Sequence, residues 1–138
     1  MAGISRSRCR EWALQLLYQT EYRGHRQGEV PRFWRHFGKG DHVPPYLVKL
    51  VEGVEVHQQE LDTLIRQHSE HWRLERMAAV DRNLLRLALY ELLHQPEVPA
   101  KVVINEAVEL AKRYGSEESG SFVNGILDRV REIVGRDI

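Results

Sequence analysis

Cysteine is almost absent from this chain, since Cys9 is the single one among 138 residues. A disulfide framework within the chain is therefore excluded, which is typical of proteins from a reducing compartment. The sequence also lacks any run of roughly 18 uncharged apolar residues, the length that a membrane-spanning helix needs. Its first residues, MAGISRSRCREW, lack the apolar segment of a secretory signal peptide. These absences predict a cytoplasmic protein without a membrane span.

The chain also has no formal net charge at neutral pH, because 20 basic side chains balance 20 acidic ones. The charges are nevertheless unevenly placed: residues 1–40 carry eight basic and three acidic side chains, and residues 41–138 carry 12 and 17. Of the 20 basic residues, 16 are arginine, whose planar guanidinium pairs with phosphates and stacks on bases. This asymmetry predicts an anionic partner at the N-terminal end and mildly favours nucleic acid.

Sequence signatures of catalysis are also lacking. The chain has no H-E-x-x-H or C-x-x-C motif, no Gly-rich phosphate loop and no G-x-S-x-G turn. His57 with Glu60, and His68 with His71, have a spacing that could place two metal ligands on one helix face, but neither pair has a third clustered ligand in the sequence. We therefore expect no enzyme activity, no metal site and no cofactor, and interpret these histidines as solvated.

What the chain does contain is apolar periodicity of the helical kind almost throughout. The most apolar segment, Asp81–Gln95, carries leucine on nearly every side and is expected to be the buried central helix. Gly53, inside a second long segment, suggests a close contact between helices. The pattern predicts an all-α bundle of about six or seven helices. The predicted helical segments run from Cys9 to a stop at Gly24, from Pro45 to about Glu70, over Asp81–Gln95 and over Val102–Tyr114, which Gly115 caps. A last helix follows, capped by Ser116 or Ser119.

One segment allows a second interpretation. Val98 to Ile104 is rich in β-branched residues and could form a strand. Ile104, Ala107, Val108 and Ala111 continue the apolar pattern at helical spacing, so we favour a helix here.

Four stretches resemble the NusB family of transcription antitermination factors: RSRCREWALQLLYQTEY at 6–22, DRNLLRLALYELL at 81–93, VPAKVVINEAVELAKRYG at 98–115 and FVNGILDRV at 122–130. The resemblance implies a NusB-like fold of two packed helical subdomains, forming a single RNA-binding domain over residues 1–138. It also implies binding of boxA-type single-stranded RNA together with the ribosomal protein NusE, which helps RNA polymerase to read through terminators, notably in ribosomal RNA operons.

The resemblance also suggests which residues bind RNA. Arg6, Arg8 and Arg10 match the arginine-rich N-terminal motif of the family, and Lys101 and Phe122 lie near its RNA surface. Arg6 and Arg10 share a helix face if the helix begins early. We expect replacement of all three arginines by alanine to weaken RNA binding and leave the fold intact. The alternatives are a frayed, solvated N-terminus, a solvated Lys101 and a Phe122 packed in the core.

For the NusE-type partner, the expected surface is a mixed polar and aromatic face. Aromatic and arginine side chains suit such interfaces. The alternative is that the tyrosines are core residues and the charges pair within the chain. The residues expected to bind this partner are Tyr18, Tyr22, Glu75, Asp81 and Arg86.

The sequence is also compatible with two other functions and with self-association. A helical bundle that binds only proteins would show no RNA binding that depends on the N-terminal arginines. A NusB-like module can also serve to target an RNA methyltransferase to RNA, and here it would act as a separate chain. The sequence is compatible with a homodimer, and it does not indicate the exact RNA sequence or the role of residues 24–44.

Overall fold

The helical pattern of the sequence is realised almost throughout the chain. The computed structural model describes residues 4–23, 29–37, 42–69 and 73–136, with the side chains of residues 22, 23, 29, 36 and 37 outside that description. Over these ranges every regular element is helical, which confirms the all-α prediction. The elements are α1 (Arg6–Arg23), α2 (Glu29–Phe37), α3 (Pro45–His68), a 3₁₀ turn (Leu74–Arg76), α4 (Ala79–His94), α5 (Ala100–Tyr114) and α6 (Ser119–Ile133).

Helix α4 lies at the centre of the bundle, as its leucine-rich sequence predicts. It packs against α1, α3, α5 and α6, and every residue from Asn83 to Leu92 is buried. Helices α1 and α3 also pack on each other, as do α5 and α6, so two helical groups share α4. Since α4 also buries Arg86 and Glu91, each of these charges needs a partner from a neighbouring helix.

The helix boundaries agree with the predicted ones to within about three residues, the largest difference being the start of α1 at Arg6 instead of Cys9. Helix α5 begins at Ala100, so the strand interpretation of residues 98–104 is wrong. The residue before α6 is Glu118 and has no capping side-chain bond, whereas Ser116 or Ser119 was expected. The Ser119 hydroxyl instead accepts a hydrogen bond from the backbone N–H of Ser116, at 2.9 Å.

Two glycines are required by close approach. A Cβ at Gly53 would overlap the Tyr90 ring and lie 2.7 Å from Tyr90 Oη, which explains the glycine inside α3. Gly115 follows α5 with extended φ and ψ angles of −99° and −164°, where any residue is allowed. A Cβ there would lie 2.8 Å from the Ala111 carbonyl oxygen and 2.7 Å from Ser119 Cβ.

The aromatic residues of α2 anchor that short helix to α1. Phe33 and Trp34 are buried, and the Trp34 ring meets the Trp12 ring edge to face with centroids 4.9 Å apart. Within the ranges described, none of the helices is both long and apolar enough to span a bilayer.

Candidate nucleic-acid interface

The start of α1 presents two exposed arginines that lie over aromatic rings. The Arg6 guanidinium lies 4.5 Å from the centre of the Tyr46 ring, and the Arg8 guanidinium lies 5.0 Å from that of Trp12. Both side chains are exposed. Arg8 also pairs with Glu11, one turn along the helix. Cation–π attraction to the rings holds both guanidinium groups in place near the surface.

Arg10, the third arginine of the motif, is buried and paired. Only 4 % of it is exposed, and its Nε and Nη2 donate to the two carboxylate oxygens of Glu91 at 2.7 and 2.9 Å. Tyr46 Oη donates to the same carboxylate at 2.6 Å. Burial lowers the pKa of the Arg10 guanidinium, but the hydrogen bonds and the negative charge of Glu91 have the larger opposite effect, so the pKa is raised.

The expectation that Arg10 could be removed without harm to the fold is therefore corrected. Removing one member of a buried ion pair leaves the other charge buried without a partner, which is strongly destabilising. Arg6 and Arg10 do share the face of α1 that meets Tyr46, but only Arg6 remains exposed. We assign Arg10 a structural role and keep Arg6 and Arg8 as the candidate phosphate contacts.

Helices α1 and α5 are joined next to this surface by Glu11. Its carboxylate accepts hydrogen bonds from Arg113 Nη1 at 2.6 Å and from Tyr114 Oη at 2.8 Å. Partial burial raises the pKa of Glu11, but the bonds from Tyr114 and Arg113 and the charges of Arg8 and Arg113 outweigh this and lower it below 4.5. Glu11 thus holds two cations at the α1–α5 surface.

This lowered pKa predicts a specific pH dependence of stability. The pKa of Glu11 is lower in the folded state than in the unfolded state, where it is near 4.5. The contribution of Glu11 to stability is therefore complete above the unfolded pKa and is lost as the pH falls through the folded pKa. We expect Glu11→Gln to reduce the free energy of unfolding at neutral pH, and the difference from wild type to shrink steadily below about pH 4.5. Urea denaturation across this range measures the difference, and one that is unchanged from pH 7 to pH 3 would contradict the prediction.

The two remaining candidate RNA contacts lie far apart. Lys101 is exposed in the first turn of α5, and Phe122 is half-buried near the start of α6. The length of α5 between them is about 20 Å at 1.5 Å per residue. Phe122 packs against the core and lines a groove of about 210 Å³ together with Asp81, Met77 and Ser116. An RNA strand that touches both residues must therefore span about this distance.

A second groove collects part of the expected partner surface. It has a volume of about 470 Å³ and is lined by Leu14, Gln15 and Tyr18 of α1, Val80 of α4 and Tyr114 of α5. Tyr18 is 39 % exposed. Asp81 follows Val80 and lines the smaller groove, where its Oδ1 is buried without a hydrogen-bond donor among the described residues. The start of α4 therefore separates two neighbouring grooves.

The other expected partner residues divide into different groups. Glu75 is exposed and pairs with Arg66 at 2.8 Å, and that hydrogen bond lowers its pKa. The side chain of Tyr22 lies outside the described residues. Arg86 is buried, and its Nε and Nη2 donate to Asp62 at 2.7 and 3.1 Å. The predicted surface position of Arg86 is therefore corrected: the side chain joins α4 to α3.

The sequence did not reveal the partners of the two buried arginines. Arg10 and Glu91 are 81 residues apart, and Arg86 and Asp62 are 24 apart. No local spacing rule connects side chains at these separations. Only the buried position of residue 91 on the central helix gave a signal, because a lone carboxylate there requires a cationic partner.

Comparison with known proteins identifies the family. The model of the NusB family matches residues 7–132. The chain belongs to the NusB family. A transcription antitermination protein NusB from Sorangium cellulosum is 51 % identical over 136 residues, which cover 96 % of this chain and 95 % of the relative. The chain is therefore similar to this relative over nearly its whole length.

Solved NusB structures share its fold. Thermotoga maritima NusB superposes with a TM-score of 0.83 at 36 % identity, over 95 % of this chain and 93 % of that one. A chain from the crystal structure of antitermination factors NusB and NusE in complex with dsRNA superposes with a TM-score of 0.82 at 30 % identity, over 94 % of this chain and 99 % of that one.

Proposed function

We propose that this NusB-family chain is a non-enzymatic transcription antitermination factor of the cytoplasm. It binds boxA-type single-stranded RNA together with a NusE-type ribosomal protein and so helps RNA polymerase to read through terminators, notably in ribosomal RNA operons. The structure of NusB and NusE with dsRNA, which shares 30 % of its sequence with this chain, supports RNA and a NusE-type protein as the partners.

The observation that carries the RNA part of the proposal is the pair of exposed arginines on aromatic rings at the start of α1. Phosphate contacts from arginine supply affinity for RNA. The rings beneath them, the half-buried Tyr46 and the buried Trp12, position the two guanidinium groups. Lys101 extends the positive surface along α5, and Phe122 supplies a half-buried ring at its far end. The described part of the chain thus offers candidate phosphate contacts on α1 and α5 and a candidate base contact near the start of α6.

The partner part of the proposal rests on the two grooves beside the start of α4. The larger groove is lined by both apolar and aromatic side chains, a composition typical of protein interfaces. They include Leu14, Val80, Tyr18 and Tyr114. In the smaller groove, Asp81 Oδ1 lacks a donor within the described structure. A buried acceptor without a donor is costly, so a backbone N–H or a cationic side chain of the partner would gain a favourable contact there.

The RNA proposal predicts a loss of affinity in Arg6→Ala/Arg8→Ala. We expect native circular dichroism, RNA binding that is about tenfold weaker, and a log–log salt slope that is smaller by roughly 0.7 for each lost phosphate contact. Fluorescence anisotropy of a labelled boxA-like strand measures both, against a scrambled strand and a duplex. The same titrations with the NusE-type protein should show tighter binding and a stronger preference for the boxA-like strand.

A charge-matched control is available at the other end of α3. Arg66 lies about 30 Å along that helix from Tyr46, at 1.5 Å per residue, and Arg129 donates to the His68 carbonyl beside it. Arg66→Ala/Arg129→Ala removes two charges there and should leave the affinity for RNA alone unchanged. Equal losses of RNA affinity in both double variants would show that the loss depends on net charge and not on the position of the arginines. Equal binding of all three RNAs, with and without the partner, would favour a protein-interaction module.

A further inference from the structure

A cluster of two histidines and a glutamate lies between α3 and α4, on residues that the RNA and partner surfaces do not include. His57 and Glu60 are one turn apart on α3, and the fold adds His94, at the end of α4. Each residue offers one ligand atom, and the three atoms lie within 4.8 Å of one another. The sequence showed the pair but no third ligand, because His94 is 34 residues beyond Glu60. From this geometry we infer that these three residues bind a zinc ion.

The ligand types fit zinc. Two imidazole nitrogens and one carboxylate oxygen form a set that tetrahedral Zn²⁺ accepts, with a fourth position left for water. A groove of about 610 Å³ runs along Glu60 and His94, so solvent can reach that position. An open fourth position distinguishes this site from a closed structural zinc site and makes the ion exchangeable.

The backbone around the site is held in place by tight packing. Gly53, one turn before His57, lies against the buried Tyr90 ring, one turn before His94. Gln95 donates to Tyr90 Oη at 3.0 Å, and the Tyr90 ring is near both imidazoles, with centroids 6.0 and 5.5 Å away. Helices α3 and α4 therefore present their ligands at a fixed separation, as a preorganised site requires.

Small side-chain rotations convert the observed arrangement into a chelate. The His57 and His94 rings stack with centroids 3.9 Å apart and planes 20° from parallel, so their lone pairs run side by side and one ring must turn. His94 Nε2 and Glu60 Oε1 are 2.8 Å apart. With metal–ligand bonds of about 2.0–2.1 Å, a tetrahedral ion needs neighbouring ligand atoms about 3.3 Å apart. Glu60 is half-exposed and His94 partly so, so both can move by this amount.

The test uses the full, tag-free chain, stripped of metal and titrated with zinc chloride by calorimetry. We expect one equivalent to bind and to raise the melting temperature, since an ion that binds only the folded state stabilises it. His57→Ala, His94→Ala and Glu60→Gln should each weaken binding by at least about tenfold, because even the loss of a residue that only supports a metal ligand has an effect of this size. Cobalt(II) in place of zinc should give the visible absorption of a tetrahedral complex in wild type and lose it in His94→Ala.

Two controls keep the result specific to this site. His68→Ala removes a histidine from the same helix, outside the cluster, and should bind zinc as wild type does. Glu60→Gln replaces an exposed side chain, so its melting temperature without zinc should match wild type and its weaker binding cannot be attributed to misfolding. The proposal is overturned if wild type binds no stoichiometric zinc, or if His57→Ala/His94→Ala binds it as tightly as wild type.

Discussion

Glu91→Ala is expected to lower the free energy of unfolding by about 3–5 kcal/mol, the effect of breaking a buried ion pair. Glu91 is 1 % exposed and accepts hydrogen bonds from Arg10 and Tyr46. Without it, the Arg10 guanidinium stays buried, and its remaining carboxylate contact among the described residues is the longer one to Glu106, at 3.4 Å. Urea denaturation followed by circular dichroism measures the loss.

Two further variants distinguish the effect of breaking the buried ion pair from the effect of removing a carboxylate in general. Glu75→Ala removes a carboxylate whose partner, Arg66, is exposed like itself, and it should leave the urea midpoint unchanged, because exposed pairs contribute little. Arg10→Met/Glu91→Leu replaces both charges with apolar groups and should recover much of the stability lost in Glu91→Ala. If Glu91→Ala unfolds at the wild-type midpoint, the buried pair does not stabilise the bundle as described.

The second large effect is expected at the crossing of α3 and α4. A methyl group at position 53 would overlap the Tyr90 ring. The burial of Tyr90 and its hydrogen bond from Gln95 oppose a movement of that ring. We expect Gly53→Ala to destabilise the protein by about 1–3 kcal/mol through overpacking, although alanine favours helix more than glycine does. Thermal and urea denaturation give the sign and size of the change.

Gly125 provides the matched control for this prediction. It lies inside α6, is exposed, and a Cβ added there would meet nothing within 4 Å. Gly125→Ala should therefore stabilise the protein by about 0.5–1 kcal/mol, the intrinsic helix preference of alanine over glycine. Opposite signs at the two glycines are the expected result. Stabilisation by Gly53→Ala would mean that α3 and α4 do not approach as closely as the structure shows.

Most of the fold could be predicted from the sequence because each helix repeats its apolar residues at a helical period. The central position of α4 follows from leucine on all its sides, and the glycine at 53 correctly indicated a close helix contact. The beginning of α6 was less predictable, because no capping side chain marks it. Gly115 was correctly placed at the end of α5, but close packing rather than a left-handed conformation explains it.

The candidate site could be predicted only in part, because exposure of a charged side chain depends on distant partners. Arg6 and Arg10 have the same residue type, lie one turn apart and share a helix face. One turn further into the bundle, Arg10 meets Glu91, whereas Arg6 stays at the helix end over Tyr46. Arg86 was misjudged for the same reason, since its partner Asp62 lies on another helix.

The Arg10–Glu91 pair also has a consequence for the order of events during synthesis. Arg10 is made 81 residues before Glu91, a delay of roughly 4–16 s at translation rates of about 5–20 residues per second. Throughout that interval the growing chain carries Arg10 without its carboxylate partner. The first helix can therefore reach its final place only after the central helix has left the ribosome, so the N-terminal segment completes its folding late although it is made first.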